Sequence, residues 1–271
     1  MKNKMLFDLG NMMLTTGRFE DARNAFTQYV EKSETEPPDE SVAIALKDIG
    51  ICFKKQGRLD EALKYYEQAL SLARRLKLEL EIADNISNMG VIYKNQAIQL
   101  QNAGDPASAG AKLKEAEKCY LEAKEIDRRT KNDYGLASDL NNLGIVYRHL
   151  QERSRAIGAY QESIKIAEKI GDRALIGKAE MNIGLIHGDS GNWDEDIVHM
   201  QKALLALAQG GFDQAYSIAQ VKYNLAIAYF EKGDPRKARE NFQQAGSLLE
   251  QLQISGTELN NNIQVYLEKC G

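Results

Sequence analysis

Cysteine is scarce in this sequence, and its spacing argues against disulfides and against metal ligands. Three cysteines occur among 271 residues, and no two of them form a CxxC pair. We expect Cys52 and Cys119 to be small buried side chains in a reducing cytoplasm. Cys270 lies one residue from the end of the sequence and is expected to be exposed.

Long apolar segments are also missing. No apolar run approaches the roughly 18–20 residues that a membrane span needs. The first residues, MKNKMLFDLG, lack the continuous apolar core of a secretory signal. The formal net charge of −4 does not suggest a nucleic-acid binder. These absences predict a cytoplasmic protein with neither a nucleic-acid partner nor a membrane partner.

The motifs of common enzymes are absent as well. The sequence contains no Gly-rich phosphate loop, no GxSxG elbow and no HExxH pair, and it has only three histidines. The acidic stretch DSGNWDED at 189–196 lacks the central Gly of a calcium loop and the Glu at its twelfth position. We therefore expect a protein without catalytic activity, cofactor or metal.

What the sequence does contain is an internal repeat. A small residue recurs at intervals of 40, 40, 54, 40 and 42 residues: Gly10, Gly50, Gly90, Gly144, Gly184 and Ala226. After each marker comes an Ala or Ile, followed four residues later by an aromatic residue or Met. Apolar residues are spaced i, i+4, i+7 around the small marker residue and again around the Ala or Ile that follows it. This spacing predicts two amphipathic helices per unit. The small residues let the two helices approach closely.

This pattern resembles the tetratricopeptide repeat along the whole chain. The shared features are Leu-Gly, an aromatic residue three positions later, and Ala plus an aromatic residue in the second helix, as in NNLGIVY at 141–147. The resemblance implies an all-α, right-handed α-solenoid superhelix of six helix pairs with a C-terminal capping helix. The expected single array has units at 3–36, 39–76, 79–130, 133–170, 172–208 and 212–252, with a capping helix at 256–269.

The repeat length narrows the resemblance. Units of about 40 residues are similar to those of kinesin light chains, spindle-orientation adaptors of the Leu-Gly-Asn class and bacterial quorum-sensing regulators of the Rap type. These families bind peptides or protein segments through their repeats. The chaperone clamp of other tetratricopeptide proteins needs Lys and Asn in one unit and Lys and Arg in another, and that combination is absent here.

The third unit carries 14 additional residues between its two helices. The segment 94–120 favours helix on both sides of AGDP, so we expect each of the two helices to be longer by about two turns, or roughly 10 Å. A hairpin at 95–115 would have no equally long neighbour. We therefore expect this hairpin to serve self-association or to bind a second partner.

Polar residues recur on the first helix of each unit. With the marker Gly numbered as position 8, position 6 lies on the face opposite to the packing stripe. Position 6 reads Asp8, Asp48, Asn88, Asn142, Asn182 and Asn224. Position 9 is apolar and reads Ile51, Val91, Ile145, Leu185 and Ile227 in the later units. Position 12 is basic at Lys54, Lys94 and Arg148.

The resemblance places this face on the concave side of the superhelix. An Asn carboxamide complements a peptide group, because it offers one acceptor and two donors. We predict a groove for an extended, partly acidic peptide or protein segment. Its expected binding residues are Asn88, Asn142, Asn182, Asn224, Asp48, Lys54, Lys94, Arg148, Ile145 and Leu185.

Other interpretations of the same residues remain open. A mid-helix Asn also forms hydrogen bonds to an adjacent helix or lies solvated in a wide groove, and Lys or Arg on a helix face often serves solubility. At the level of function we favour a peptide-binding scaffold or adaptor. The alternatives are a regulatory module that senses a ligand or signalling peptide, as part of a larger regulator, and an assembly role for the hairpin.

Overall fold

The computed structural model describes residues 2–33, 37–210 and 214–270, and these residues form helices without any strand. The helices are α1 (Lys2–Thr15), α2 (Phe19–Ser33), α3 (Glu40–Lys55), α4 (Leu59–Leu76), α5 (Glu79–Asn102), α6 (Pro106–Thr130), α7 (Asp133–His149), α8 (Arg153–Ile170), α9 (Arg173–Gly188), α10 (Trp193–Ala208), α11 (Ala215–Glu231), α12 (Pro235–Gln251) and α13 (Glu258–Lys269). The all-α helix pairs are thereby confirmed. The expected unit boundaries at residues 36 and 212 lie outside the described residues.

The chain forms two compact units, Met1–Asn142 (unit 1) and Leu143–Gly271 (unit 2), with the boundary inside α7. Each unit is described by itself. In unit 1, α1 packs on α2, α3 on α4 and α5 on α6. In unit 2, α9 packs on α10, α11 on α12, and α12 on α13. The expectation of one continuous array remains a prediction.

The first four helix pairs are each held together by a close approach between a glycine and an aromatic ring. A Cβ atom built on Gly50 in α3 would lie 2.7 Å from the ring of Tyr66 in α4. The Tyr66 side chain is fully buried. The same pairing recurs in Gly10 with Phe26, Gly90 with Tyr120 and Gly144 with Tyr160. The ring therefore fills the space that a side chain at position 8 would need.

Turn chemistry sets where the helices begin. Gly57 adopts a φ of 76° between α3 and α4, a left-handed conformation that glycine reaches at low cost. Asp105 caps α6 by accepting a hydrogen bond from the backbone N–H of Ser108 at 3.0 Å, and Pro106 occupies the first helical turn. These local signals stop one helix and start the next within a few residues.

The inserted residues of the third pair lie in its two helices. Helices α5 and α6 have 24 and 25 residues, whereas the other described helices have 12 to 18. Ala97, Ala109 and Leu113 are buried. Residues 95–115 expose no large apolar side chain. The expectation of self-association or a second partner at this hairpin therefore gains no support.

The last helix covers the end of unit 2. Ile263 of α13 is fully buried, and the ring of Tyr266 stacks on Phe242 of α12 with centroids 5.1 Å apart. Leu259 and Leu267 pack on the same cluster. This confirms the expected capping helix, which shields an apolar edge that a repeat array otherwise leaves open.

The close approach at Gly50 predicts a large effect from a single methyl group. Gly50→Ala should lower the free energy of unfolding by about 1–3 kcal/mol, because the new Cβ overlaps the buried Tyr66 ring. Gly110 of α6 is a matched control, since a Cβ there meets nothing within 4 Å. Gly110→Ala should raise stability by about 0.5–1 kcal/mol through helix propensity. Urea denaturation of both variants measures the difference, and equal effects would contradict the packing argument.

Candidate functional site

The first helices of three successive pairs in unit 1 line a common cavity. Helices α3, α5 and α7 surround a volume of about 340 Å³. Of the predicted binding residues, Asp48, Asn88 and Asn142 line it. Ile51 and Val91 at position 9 contribute its apolar surface. The structure thus brings positions 6 and 9 of unit 1 together on one face, which we call the inner face of unit 1.

Two lysines of this face bind the asparagines of the next helix pair. The Lys54 Nζ donates a hydrogen bond to Asn88 Oδ1 at 2.7 Å. Lys94 Nζ donates to Asn142 Oδ1 at 2.8 Å. The Asn88 amide nitrogen also donates to the carbonyl oxygen of Asp84 at 2.9 Å. Asn88 therefore forms a hydrogen bond to a neighbouring helix, which is one of the alternatives that the sequence left open.

The two bridging lysines are partly buried, and no described residue offers either of them a carboxylate partner. Burial lowers the pKa of Lys54 to about 8, and the neighbouring Lys55 acts in the same direction. Burial also lowers the pKa of Lys94 to about 8, assisted by the charge of Lys54. A neutral amide oxygen compensates the ammonium charge only in part, so both lysines carry an incompletely balanced positive charge at neutral pH.

Arg148 does not continue this series. It belongs to unit 2, where its Nε donates to Asp189 Oδ2 at 3.0 Å. Lys54 and Lys94 each have an Asn at position 6 as partner, whereas Arg148 has a carboxylate and is neutralised. The sequence argument grouped three basic residues by position, but the partner of each residue decides whether its charge remains available.

The remaining predicted residues lie in unit 2. Asn182 on α9 and Asn224 on α11 are partly exposed, and within the described residues neither side chain forms a hydrogen bond. Leu185 packs against the core between α10 and α11, and Ile145 is partly exposed on α7. Unit 2 therefore presents two asparagines with unused amide groups on its first helices.

Sequence reasoning missed the acidic side chains of the unit 1 cavity. Asp84, Asp127 and Asp139 line it together with Asp48. Among the described residues that line it, Lys47 is the one base. Its Nζ lies 3.0 Å from Asp84 Oδ2 and 2.7 Å from a Glu81 carboxylate oxygen. Burial alone would lower the pKa of Lys47, but these two carboxylates raise it above its ordinary value.

Asp139 is the most deeply buried of these carboxyl groups, with 1% of its surface exposed. Its Oδ1 accepts a hydrogen bond from Ser87 Oγ at 2.5 Å. Its Oδ2 accepts no hydrogen bond from any described residue. Burial raises the pKa of Asp139 to about 8, and the charges of Asp127 and Asp84 raise it further. The group is therefore mostly protonated at neutral pH.

Asp127 reaches the cavity because Gly135 has no side chain. The Asp127 carboxylate occupies the space where a Cβ of Gly135 would lie. Asn132 donates a hydrogen bond to Asp127 Oδ1 at 2.9 Å. Burial raises the pKa of Asp127 to about 6 despite this bond, and burial likewise raises that of Asp48 to about 6.

A signal for these residues exists in the repeat pattern. Position 3 of the first helix is occupied by the buried apolar residues Ala45, Ala179 and Val221 in three units. The same position is Asn85 in the third unit and Asp139 in the fourth. Burying a polar side chain destabilises a protein unless the side chain is hydrogen-bonded. Polar residues at this buried position in two consecutive units therefore indicate a functional or structural role for them.

Residues suited to metal or thiol chemistry are not gathered anywhere in the described chain. No group of three or more His, Cys, Asp and Glu side chains there could hold a metal ion. The cysteines are free: Cys52 is buried, and Cys119 and Cys270 are partly buried. Burial raises the pKa of the Cys52 thiol to about 11.

Among the helices that the structure describes, none combines the length and apolar composition needed to cross a membrane.

Comparison with known families accounts for this arrangement of helix pairs. The family model described as "Tetratricopeptide repeat" matches residues 4–75, 109–169 and 175–251. The chain belongs to the tetratricopeptide repeat family. The family's helix-pair solenoid is generally an interaction scaffold without catalytic activity.

Similar proteins include bacterial regulators. The transcriptional activator NprA of Geobacillus stearothermophilus is 24% identical over 210 residues, which are 75% of this chain and 46% of that protein. The chain thus spans less than half the length of this curated relative. The apo form of RapI matches with a TM-score of 0.68 and 16% identity over 100% of this chain and 97% of RapI.

A Rap protein complexed with competence and sporulation factor matches with a TM-score of 0.67 and 13% identity. This match covers 99% of the chain and 74% of the Rap protein. The likeness to both Rap structures establishes the fold and agrees with the Rap-type resemblance seen in the repeat length.

The buried carboxyl of Asp139 predicts a pH-dependent stability. In the unfolded chain an Asp ionises near its ordinary pKa of about 3.9, whereas in the folded chain Asp139 stays protonated up to a pH of about 8. Between these values the folded state binds more protons, so stability falls as the pH rises. Asp139→Asn removes this loss and should raise the free energy of unfolding at pH 8 by at least about 1 kcal/mol.

Urea denaturation at pH 4.5, 6.5 and 8.5 checks this expectation. The advantage of Asp139→Asn over the unchanged protein should grow with pH and level off above the folded pKa. Asp8→Asn is the matched control, because Asp8 is an exposed residue at position 6 of α1. A pH-independent difference for Asp139→Asn would contradict the assigned protonation state.

Proposed function

We propose that this chain is a protein-interaction scaffold, and that the inner face of unit 1 binds an extended peptide segment of a partner protein. The observation that carries the proposal is the gathering of Asp48, Asn88 and Asn142 with the apolar Ile51 and Val91 around one cavity. Polar groups fix a peptide backbone, and the apolar surface takes up part of its side chains. The proposed partner is a protein or peptide in the cytoplasm.

The donors available for a peptide differ among the asparagines. Asn88 uses its oxygen and one amide hydrogen inside the protein. Asn142 uses its oxygen for Lys94, and its amide nitrogen donates to no described residue. Asn142 is therefore better placed than Asn88 to donate to a peptide carbonyl. Such a bond contributes about 0.5–1.5 kcal/mol to binding.

Lys54 and Lys94 supply the groups that would bind acidic residues of the peptide. Each ammonium has three donors, and one of them is used by an asparagine oxygen. A carboxylate placed between them would balance the charge that burial destabilises. The sequence-based proposal of a partly acidic ligand thus rests on Lys54 and Lys94, and Arg148 is removed from it because Asp189 neutralises Arg148.

A second candidate function is a peptide-sensing module within a larger regulator. One support is the similarity to the transcriptional activator NprA, a longer protein of which the match covers 46%. The other is the fold shared with a Rap protein complexed with competence and sporulation factor. Small-angle scattering with and without a selected peptide separates the two candidate functions. A sensor should change its radius of gyration on binding, whereas a passive scaffold should keep it.

Removing the free donor of Asn142 tests the scaffold proposal. Peptides are first selected from a phage-displayed random library against the full chain, and their affinities are then measured by titration calorimetry. Asn142→Ala should weaken binding by about 0.5–1.5 kcal/mol, because one peptide hydrogen bond is lost. Asn261→Ala, at an exposed position of α13, is the control and should bind normally. Unchanged affinity in a folded Asn142→Ala variant would argue against the inner face as the binding surface.

The partly buried Lys54 and Lys94 predict a pH dependence for the binding of peptides that contain Asp or Glu. In the free protein Lys54 and Lys94 have a pKa of about 8, and a bound carboxylate raises that pKa. The contribution to affinity is therefore complete below pH 8 and is lost as the pH rises through the pKa of the complex. Titrations between pH 6.5 and 10 should show this fall for an acidic peptide and not for its Asn or Gln counterpart.

A further inference from the structure

Asp139 occupies a place where the fold itself has no need for a carboxyl group. The equivalent residue is Ala45, Ala179 or Val221 in other units, and each of these is buried. One oxygen of Asp139 is used by Ser87, while Oδ2 is buried and accepts nothing from the described residues. A buried acceptor without a partner is destabilising, so it points to a donor that the folded chain does not supply.

The cavity that Asp139 lines is surrounded by further acids. Asp48, Asp84 and Asp127 line the same volume of about 340 Å³. The base Lys47 forms its ion pairs with Asp84 and with Glu81. Carboxyl groups thus outnumber bases around the cavity, and the local field favours a positive group over a neutral or negative one.

The cavity is open enough for a side chain to enter. The Asp84 side chain is 48% exposed, and Tyr134 on the rim is 66% exposed. Ile51 and Val91 offer an apolar wall for the methylene stem of a long side chain. Lys54 and Lys94 are not among the residues that line the cavity, so their charges do not occupy it.

We propose that this cavity is a specificity pocket for a lysine or arginine side chain of the bound peptide, with the Asp139 carboxyl as an acceptor at its base. The proposal rests on the proposed peptide-binding function and adds to it the chemistry of one ligand residue. A guanidinium or ammonium group brings several N–H donors and a positive charge, and this charge favours the ionised form of Asp139, so that the carboxylate accepts hydrogen bonds from the bound side chain. Since acidic residues of the same peptide are proposed to bind Lys54 and Lys94, the ligand would carry charges of both signs.

Citrulline provides the decisive probe, because it keeps the shape of arginine and lacks its charge. Four decapeptide sublibraries carry Arg, Lys, citrulline or Glu at a central position and uncharged random residues elsewhere. Each is passed over the immobilised full chain, and the retained fraction is measured by mass spectrometry. The Arg and Lys sublibraries should be retained at least about tenfold better than the citrulline sublibrary, as expected for charge-assisted hydrogen bonds.

Asp139→Asn should reduce this ratio to about one, since it removes the carboxyl and keeps the shape. Asp84→Asn, at a half-exposed position, is a second variant in case the first is poorly folded, and it should reduce the ratio as well. Asp196→Asn is the matched control, because Asp196 is also a buried carboxyl, but in unit 2. It should leave the ratio unchanged, and circular dichroism confirms that each variant is folded.

The outcomes separate this inference from the proposed function. Equal retention of the Arg, Lys and citrulline sublibraries would overturn the pocket and leave peptide binding intact. Retention of none of the four would overturn the proposed function itself. Spermidine, titrated alone, is the third arm. Binding of spermidine that Asp139→Asn abolishes, with no preference among the peptides, would assign the cavity to a free polyamine and overturn its assignment to a peptide side chain.

Discussion

The contact between a first-helix glycine and a second-helix aromatic ring determines the rest of this structure. At Gly50 the ring of Tyr66 lies where a side chain would otherwise project, which fixes the rotation of α3 about its own axis. Once that rotation is fixed, position 6 has to lie on the opposite face of the helix. The same contact recurs with Gly90 and Tyr120, so that Asn88 and Asp48 reach a common cavity. The inner face of unit 1 is in this sense a consequence of core packing.

Polar groups on that face are connected from one helix pair to the next. Lys54 binds Asn88, and Lys94 binds Asn142, each across about one repeat of sequence. Burial makes such cations costly, and a neutral amide compensates them only in part. The residual charge is what makes these lysines suitable for the proposed ligand. Arg148 differs because its partner is the Asp189 carboxylate, which neutralises its charge, so Arg148 is less suited to bind an acidic ligand.

On the inner face of unit 1, Lys54 and Lys94 bind asparagines, whereas the aspartates line the cavity. Among these aspartates, Asp139 and Asp127 line it with the neutralised Lys47. Direct pairing of these lysines and aspartates would cancel their fields and leave nothing for a ligand to satisfy. Because asparagine oxygens are neutral, the charges of Lys54 and Lys94 are not cancelled, although the formal net charge of the chain is only −4. Local arrangement, and not net charge, decides what such a surface binds.

The sequence by itself determined the helix pairs, the close-packing glycines, the capping helix and the face on which position 6 lies. These features follow from periodicity, which is a local property that every unit repeats. Only the tertiary structure decided that Asn88 is used by Lys54 and that Asp139 becomes a buried, partly unpaired acid. Hydrogen-bond partners and desolvation depend on side chains brought together from different helix pairs. A periodic pattern gives the direction in which a side chain points, but the groups that it meets there depend on how the pairs stack.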